Sequence, residues 1–110
     1  MESILTSIKK LLGITEEYEH FDADIILNIN TVLNILTQMG VGPAEGFQIE
    51  DKTAVWSDFI DNKRLNMVKT YVHLKVKLIF DPPSGTATEA INNQLKELEW
   101  RMNSVIDYEK

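Results

Sequence analysis

The sequence predicts an all-α protein, a small bundle of about four to five helices, and three observations support this prediction. Apolar residues recur at the 3.6-residue helical spacing along most of the chain. Glycine and proline are concentrated at the points where these periodic segments stop. The length of 110 residues, with 44% hydrophobic and 25% charged residues, fits one soluble globular domain. We therefore expect residues 1–110 to form a single helical domain.

The first forty residues predict two helices separated by an acidic segment. The first helix covers residues 3–12 and ends at Gly13, and its apolar face consists of Ile4, Ile8, Leu11 and Leu12. Residues 15–21 form the acidic segment. The second helix covers residues 22–39, with Asp22 as its N-cap and Gly40 as its end. Its apolar stripe consists of Ile25, Ile29, Val32, Leu36 and Met39, widened by Ile26 and Leu33.

Residues 40–52 form the longest irregular segment, which holds three of the five glycines and one of the three prolines. Within it, Phe47, Gln48 and Ile49 form a possible short extended piece. Loops of this length in a compact domain are usually functional or mobile, so these three residues are a candidate contact site. A short helix follows over residues 53–61, and its apolar anchors are Val55, Trp56, Phe59 and Ile60.

Two long helices, residues 65–80 and 88–106, complete the predicted bundle. The segment Asp81-Pro82-Pro83-Ser84-Gly85 separates them. Proline lacks the backbone N–H and has a fixed φ, so the first of the two helices cannot continue through this turn. Thr86 or Thr88 is suited to cap the next helix. The Pro-Pro turn is therefore expected to set a defined angle between the two helices.

The helix over residues 65–80 is apolar on two sides. At 100° per residue, its core stripe consists of Leu65, Val68, Val72, Val76 and Ile79. A second stripe, about 130° away on the same geometry, consists of Met67, Tyr71, Leu74 and Leu78. Such a helix is either central in its own bundle or shared with another chain. The second stripe is therefore a candidate interface.

The helix over residues 88–106 has one core stripe and an isolated tryptophan. The stripe consists of Ile91, Leu95, Leu98, Met102, Val105 and Ile106. Trp100 falls on the opposite side, beside Lys96 and Asn93. Tryptophan is enriched at binding hot spots, so Trp100 is a candidate interface anchor. Packing under a neighbouring loop is an equally good interpretation.

No catalytic, cofactor or metal site is predicted. The chain has no cysteine, and metalloprotease, nucleophile-elbow, phosphate-loop and dinucleotide motifs are all missing. His20 and His73 lie far apart, and the acidic residues from Glu16 to Asp24 lack the spacing of a calcium loop. No apolar run reaches the length of a membrane span, and the N-terminus has the wrong charge order for a secretory signal.

Charge is distributed unevenly along the chain, which has a net charge of −6. Residues 63–77 carry five basic residues and no acid, namely Lys63, Arg64, Lys69, Lys75 and Lys77. The overall acidity opposes tight nucleic-acid binding, so pairing with acidic residues of the same or a neighbouring subunit explains this stretch better. Lys69, His73 and Lys77 share one face and are candidates for such pairing. For His73, a plain solvent-facing position is the simpler interpretation.

The order of these elements resembles that of a known family. A short helix ending in LLGI is followed by an acidic segment, a helix ending in Met-Gly, a Gly/Pro loop and a short Trp/Phe helix. The stretch YVHLKVKLIFDPPSGTATEAINNQLKELEWRMN completes the pattern. Together these features resemble the small head–tail connector proteins (adaptor or head-completion proteins) of tailed bacteriophages and of prophages in Gram-positive hosts. The resemblance is clearest over residues 71–84 and around Leu98, Trp100 and Met102.

This resemblance implies a non-enzymatic structural protein of the virion, made in the host cytoplasm. Such proteins form a homo-oligomeric ring, typically a dodecamer, beneath the portal protein. The ring extends the channel for double-stranded DNA, without sequence-specific binding, and receives a stopper or tail-completion protein. Phe47, Gln48 and Ile49 would then contact the portal or the channel, and no membrane or cofactor is implied. The alternative is a small helical regulatory or nucleic-acid-associated module that uses residues 63–77.

Overall fold

The computed structural model describes the backbone of residues 2–109 and the side chains of residues 2–103. Its five helices are α1 (Ile4–Leu11), α2 (Asp22–Gln38), α3 (Trp56–Phe59), α4 (Leu65–Phe80) and α5 (Thr86–Glu109). Over this part of the chain there is no β-strand, only an isolated bridge between Ser3 and Val55. The all-α prediction is confirmed. The third helix is shorter than expected and the fifth is longer.

The ends of α1 and α2 show where the sequence rules hold and where they fail. The Ser3 hydroxyl accepts a hydrogen bond from the Thr6 N–H at 3.2 Å and caps α1. Asp22 was predicted to cap α2, and this prediction was wrong. The N-cap is Phe21, without a side-chain hydrogen bond, and Asp22 is the first helical residue. The Asp22 carboxylate is instead directed at an ammonium group of α1, described below.

Helix α4 lies at the centre of the bundle, in contact with α1, α2 and α5. Each of its two apolar stripes is therefore partly covered within the subunit, because α4 has neighbours on more than one side. The core stripe ends at Val76, since Ile79 lies in the last turn of α4 and is 53% exposed. Leu11, the last residue of α1, is likewise exposed although it was predicted in the core. Val105 and Ile106 lie outside the described side chains.

A side chain of α2 holds the long loop of residues 40–52 in place. Asn30 Nδ2 donates to the Ile49 carbonyl oxygen at 2.9 Å, and the Ile49 N–H donates to Asn30 Oδ1 at 2.8 Å. The Asn30 side-chain amide thus pairs with both the N–H and the carbonyl oxygen of Ile49, the two groups that a neighbouring β-strand would otherwise pair with. Residues 47–49 accordingly form no strand, although Ile49 is buried. The loop is therefore anchored at its centre.

Helix α3 is tied to the start of α1 by hydrogen bonds. The buried Trp56 Nε1 donates to Ser7 Oγ at 2.7 Å, and Ser7 Oγ donates to the Ile4 carbonyl oxygen at 3.1 Å. The Ile4 N–H donates to the Ala54 carbonyl oxygen at 3.0 Å. A buried indole N–H needs an acceptor, and a serine in α1 supplies it. The end of the long loop is thus fixed to the N-terminal helix.

Candidate functional site

The predicted second stripe of α4 divides into buried and accessible residues. Tyr71 and Leu74 are buried, whereas Met67 and Leu78 are half-buried. Tyr71 and Leu74 therefore belong to the core of the subunit and are not accessible to a partner. Met67, Leu78 and Trp100 remain candidate interface residues, because their side chains are at least partly exposed.

A polar contact locks α5 onto α4 over this stripe. The Tyr71 hydroxyl donates to Glu99 Oε2 at 2.6 Å, and Lys75 Nζ lies 3.8 Å from the same oxygen. Lys75 Nζ also lies 5.8 Å from the centre of the Tyr71 ring. Burial, and secondarily the Glu99 carboxylate, raises the pKa of Tyr71, so its hydroxyl remains a donor. This arrangement fixes the rotation of α5 about its own axis.

Trp100 lies on the outer side of α5 and is 69% exposed. Near it, an open groove runs between α4 and α5, with a volume of about 400 Å³. We call this the α4–α5 groove; its lining residues are Asn66, Met67, Thr70, Gln94, Glu97, Leu98 and Arg101. The predicted exposed side of α5 thus has both a protruding aromatic ring and an adjacent depression.

The basic stretch of α4 is largely compensated within the subunit. The Lys69 ammonium pairs with the Glu2 carboxylate, and Lys75 pairs with Glu99. Pairing inside the same subunit, one of the two predicted possibilities, is therefore found for Lys69. Lys77 lies at the end of α4 and is half-buried.

The structure places His73 differently from the solvent-facing prediction. The side chain is half-buried, and its Nε2 atom is buried without a hydrogen-bond partner among the described residues. Burial lowers the pKa of His73, and the neighbouring Lys77 ammonium lowers it further. A hydrogen bond with the Leu11 backbone opposes this shift. The lowered pKa favours the neutral form of His73, so pairing with an acidic partner has to overcome the burial of its ring.

The acidic segment is held by a buried lysine that sequence reasoning missed. Lys9 is only 2% exposed, and its Nζ atom donates to the carbonyl oxygens of Glu16 at 3.0 Å and Tyr18 at 2.7 Å. Asp22 Oδ1 lies 2.7 Å from the same ammonium, as an ion pair outside hydrogen-bond angles. The Lys9 ammonium thus fixes the backbone of the acidic segment, whereas the carboxylates of that segment are exposed to solvent.

Carboxylates also line a cleft of about 310 Å³ beside this segment. The cleft residues are Leu5, Glu16, Glu19, Asp22, Ile26, Glu50, Asp51 and Lys52. Within the described part of the chain, no three histidine or acidic side chains are arranged to hold a metal ion. The cleft is therefore an acidic surface feature of the subunit.

The comparison with known families decides between the functional classes. The family model for phage connector proteins matches residues 4–109, nearly the whole chain. The chain belongs to the phage connector protein family. No curated protein and no solved structure matches it.

The connector family is structural rather than enzymatic, and its members are associated with the virion. A bundle held by buried apolar stripes and a few interhelical hydrogen bonds fits that role. None of the helices within residues 2–109 combines the length and apolarity of a membrane span. Membership of the connector family implies assembly with other components of the phage head or tail.

The position of His73 predicts how the stability of this connector depends on pH. The pKa of His73 is lowered in the folded state, so the unfolded chain binds more protons as pH falls through and below about 6.5. The wild type should therefore lose stability on acidification through this window, and the His73→Gln variant should lose less. Urea titrations at several pH values between about 7.5 and 5 measure this difference. Parallel pH curves for the two proteins would contradict the assignment.

Proposed function

We propose that this connector assembles as a ring beneath the portal protein, extends the DNA channel and receives the next stopper or tail-completion component. The observation that carries this proposal is the family match over residues 4–109. A dodecamer is the stoichiometry that the resemblance to head–tail adaptors implies. The subunit would enter the particle at the head–tail interface, after synthesis in the host cytoplasm.

Charge on the subunit supports the passage of DNA without adhesion. The chain has a net charge of −6, and Glu16, Glu17 and Glu19 are exposed in the acidic segment. An acidic wall gives no counterion release on contact with phosphates, so DNA can slide past it. Lys69 and Lys75 are already engaged by carboxylates, which also argues against the regulatory, nucleic-acid-binding alternative.

The long loop supplies a defined surface for a portal or channel contact. Ile49 is buried and Phe47 is half-buried against Phe59, with ring centres 5.5 Å apart. Gln48, between them, is exposed. We therefore assign the outward contact of this loop to Gln48, with Phe47 and Ile49 as its anchors.

Co-production with the portal protein of the same phage tests the proposal. We expect an affinity-tagged portal to retain this connector, and electron microscopy to show an added ring on the portal. The isolated protein should be a monomer or a weak oligomer. It should also show no binding to double-stranded DNA at about 150 mM salt, because its net charge is −6 and Lys69 and Lys75 of α4 are paired with carboxylates.

Two results would contradict the proposal. One is a tight, stable dimer that does not appear in the portal fraction. The other is salt-dependent DNA binding by the isolated protein, which would favour the nucleic-acid-associated alternative.

A further inference from the structure

Trp100 is a large aromatic residue whose side chain is mostly exposed to solvent. It is 69% exposed, whereas Leu95 and Met102 on the inner side of α5 are buried. An aromatic side chain of this kind can bury about 150–250 Å² in a contact. Its exposed neighbours include the cation of Lys96, one turn earlier, and the amide of Asn103. The protruding surface therefore combines an apolar ring with a positive charge and an N–H donor.

The α4–α5 groove has the complementary properties. Met67 and Leu98 are half-buried and give it apolar walls, and the other lining side chains are polar. Arg101 Nε and Nη2 donate to a single oxygen, Glu97 Oε1, at 3.1 and 2.7 Å. A carboxylate accepts through both oxygens, so Glu97 Oε2 can accept a further bond from outside the subunit. The groove thus offers apolar walls beside a carboxylate acceptor.

We propose that Trp100 of one copy of this chain inserts into the α4–α5 groove of a second copy. The groove volume of about 400 Å³ accommodates an indole ring. The indole N–H, which is only a donor, meets Glu97 Oε2, the oxygen to which Arg101 does not donate. Lys96 brings a second cation to the same carboxylate, which is paired with Arg101 within its own subunit. This inference rests on the proposed function, because it identifies the contact between neighbouring subunits of the ring.

The positions of the two features favour a second copy as the occupant. At 100° per residue, Trp100 lies roughly a third of a turn around α5 from the groove-lining residues of that helix. Two different surfaces that fit each other make a heterologous contact, which can repeat from copy to copy and close into a ring. One tryptophan also supplies much less than the approximately 800 Å² per partner of a stable interface. The contact should therefore be weak until another protein aligns the copies.

Sedimentation velocity on the full chain tests this contact. Over about 10 µM to 1 mM, the wild type should show weak, concentration-dependent association. The Trp100→Ala variant should raise the dissociation constant about thirtyfold, as expected for loss of a hot-spot residue. Leu27→Ala is the matched control, since Leu27 is 66% exposed on α2. A wild type that stays monomeric throughout, or equal effects of the two variants, would overturn the proposal.

Cross-linking locates the contact, because the chain contains no cysteine. Asn103→Cys places a thiol beside Trp100, and Asn66→Cys places one on the rim of the groove. A short bismaleimide should join the two variants when they are mixed, and adding Trp100→Ala to the first should abolish the product. Unchanged cross-linking with Trp100→Ala would overturn the proposal. If that variant still forms rings on the portal, only the anchor assignment fails; if the wild type forms none, the proposed function fails.

Discussion

The Lys9→Met variant is expected to lower the free energy of unfolding by about 3 kcal/mol, the lower end of the range for breaking a buried ion pair. The wild-type ammonium compensates Asp22 and satisfies two backbone carbonyl groups of the acidic segment. Methionine fills a similar volume but leaves these groups without their donor. Asp22 is partly exposed to water, which limits the loss. Urea denaturation followed by circular dichroism measures the change.

Two further variants separate the ion pair from general effects of removing a lysine. Lys10→Met makes the same substitution at the next, exposed residue, and it should cost less than about 1 kcal/mol. Adding Asp22→Asn to Lys9→Met should recover part of the lost stability, because the uncompensated charge is then removed. Equal losses at Lys9 and Lys10 would show that the buried contact is energetically unimportant.

Lys9 also shows where sequence reasoning fails. Helical periodicity placed α1 correctly, and the apolar residues Ile4 and Ile8 are buried as predicted. The same periodicity treats a lysine as polar and therefore exposed. A buried lysine becomes plausible only when acceptors from another segment converge on it, and that convergence depends on the path of residues 15–21. The one local indication of this contact is that Lys9 lies close in sequence to the acidic segment.

The two-sided apolar pattern of α4 illustrates a different limit. Helical periodicity identifies both stripes, but it does not determine whether the second one is covered by the same chain or by a neighbour. The answer depends on where α5 lies, and the Tyr71–Glu99 hydrogen bond holds α5 against this side of α4. A contact between residues 28 positions apart has no local signature. Trp100, in contrast, could be placed outside the core from the periodicity of α5 alone.

The Gly42→Ala variant is expected to lower the free energy of unfolding by about 3 kcal/mol, from two causes. Gly42 has a φ of +87°, which L-residues adopt only with strain. In addition, a Cβ atom at this position would lie 2.5 Å from Phe59 Cε1 and 2.7 Å from Cζ. Phe59 is buried and packs against Phe47, so the ring cannot move aside without disturbing the loop.

Comparison with Gly46→Ala, in the same loop, separates the steric clash with Phe59 from the backbone strain. Gly46 has a φ of +95°, but a Cβ atom there would meet nothing within 4 Å. Its substitution should therefore cost only the backbone strain, about 1–2 kcal/mol, and urea titration of both variants gives the difference. Equal losses would show that Phe59 yields to the added methyl group. If Gln48 contacts the portal as proposed, Gly42→Ala should also weaken retention on the portal more than Gly46→Ala, because only Gly42→Ala displaces the Phe47 anchor beside Gln48.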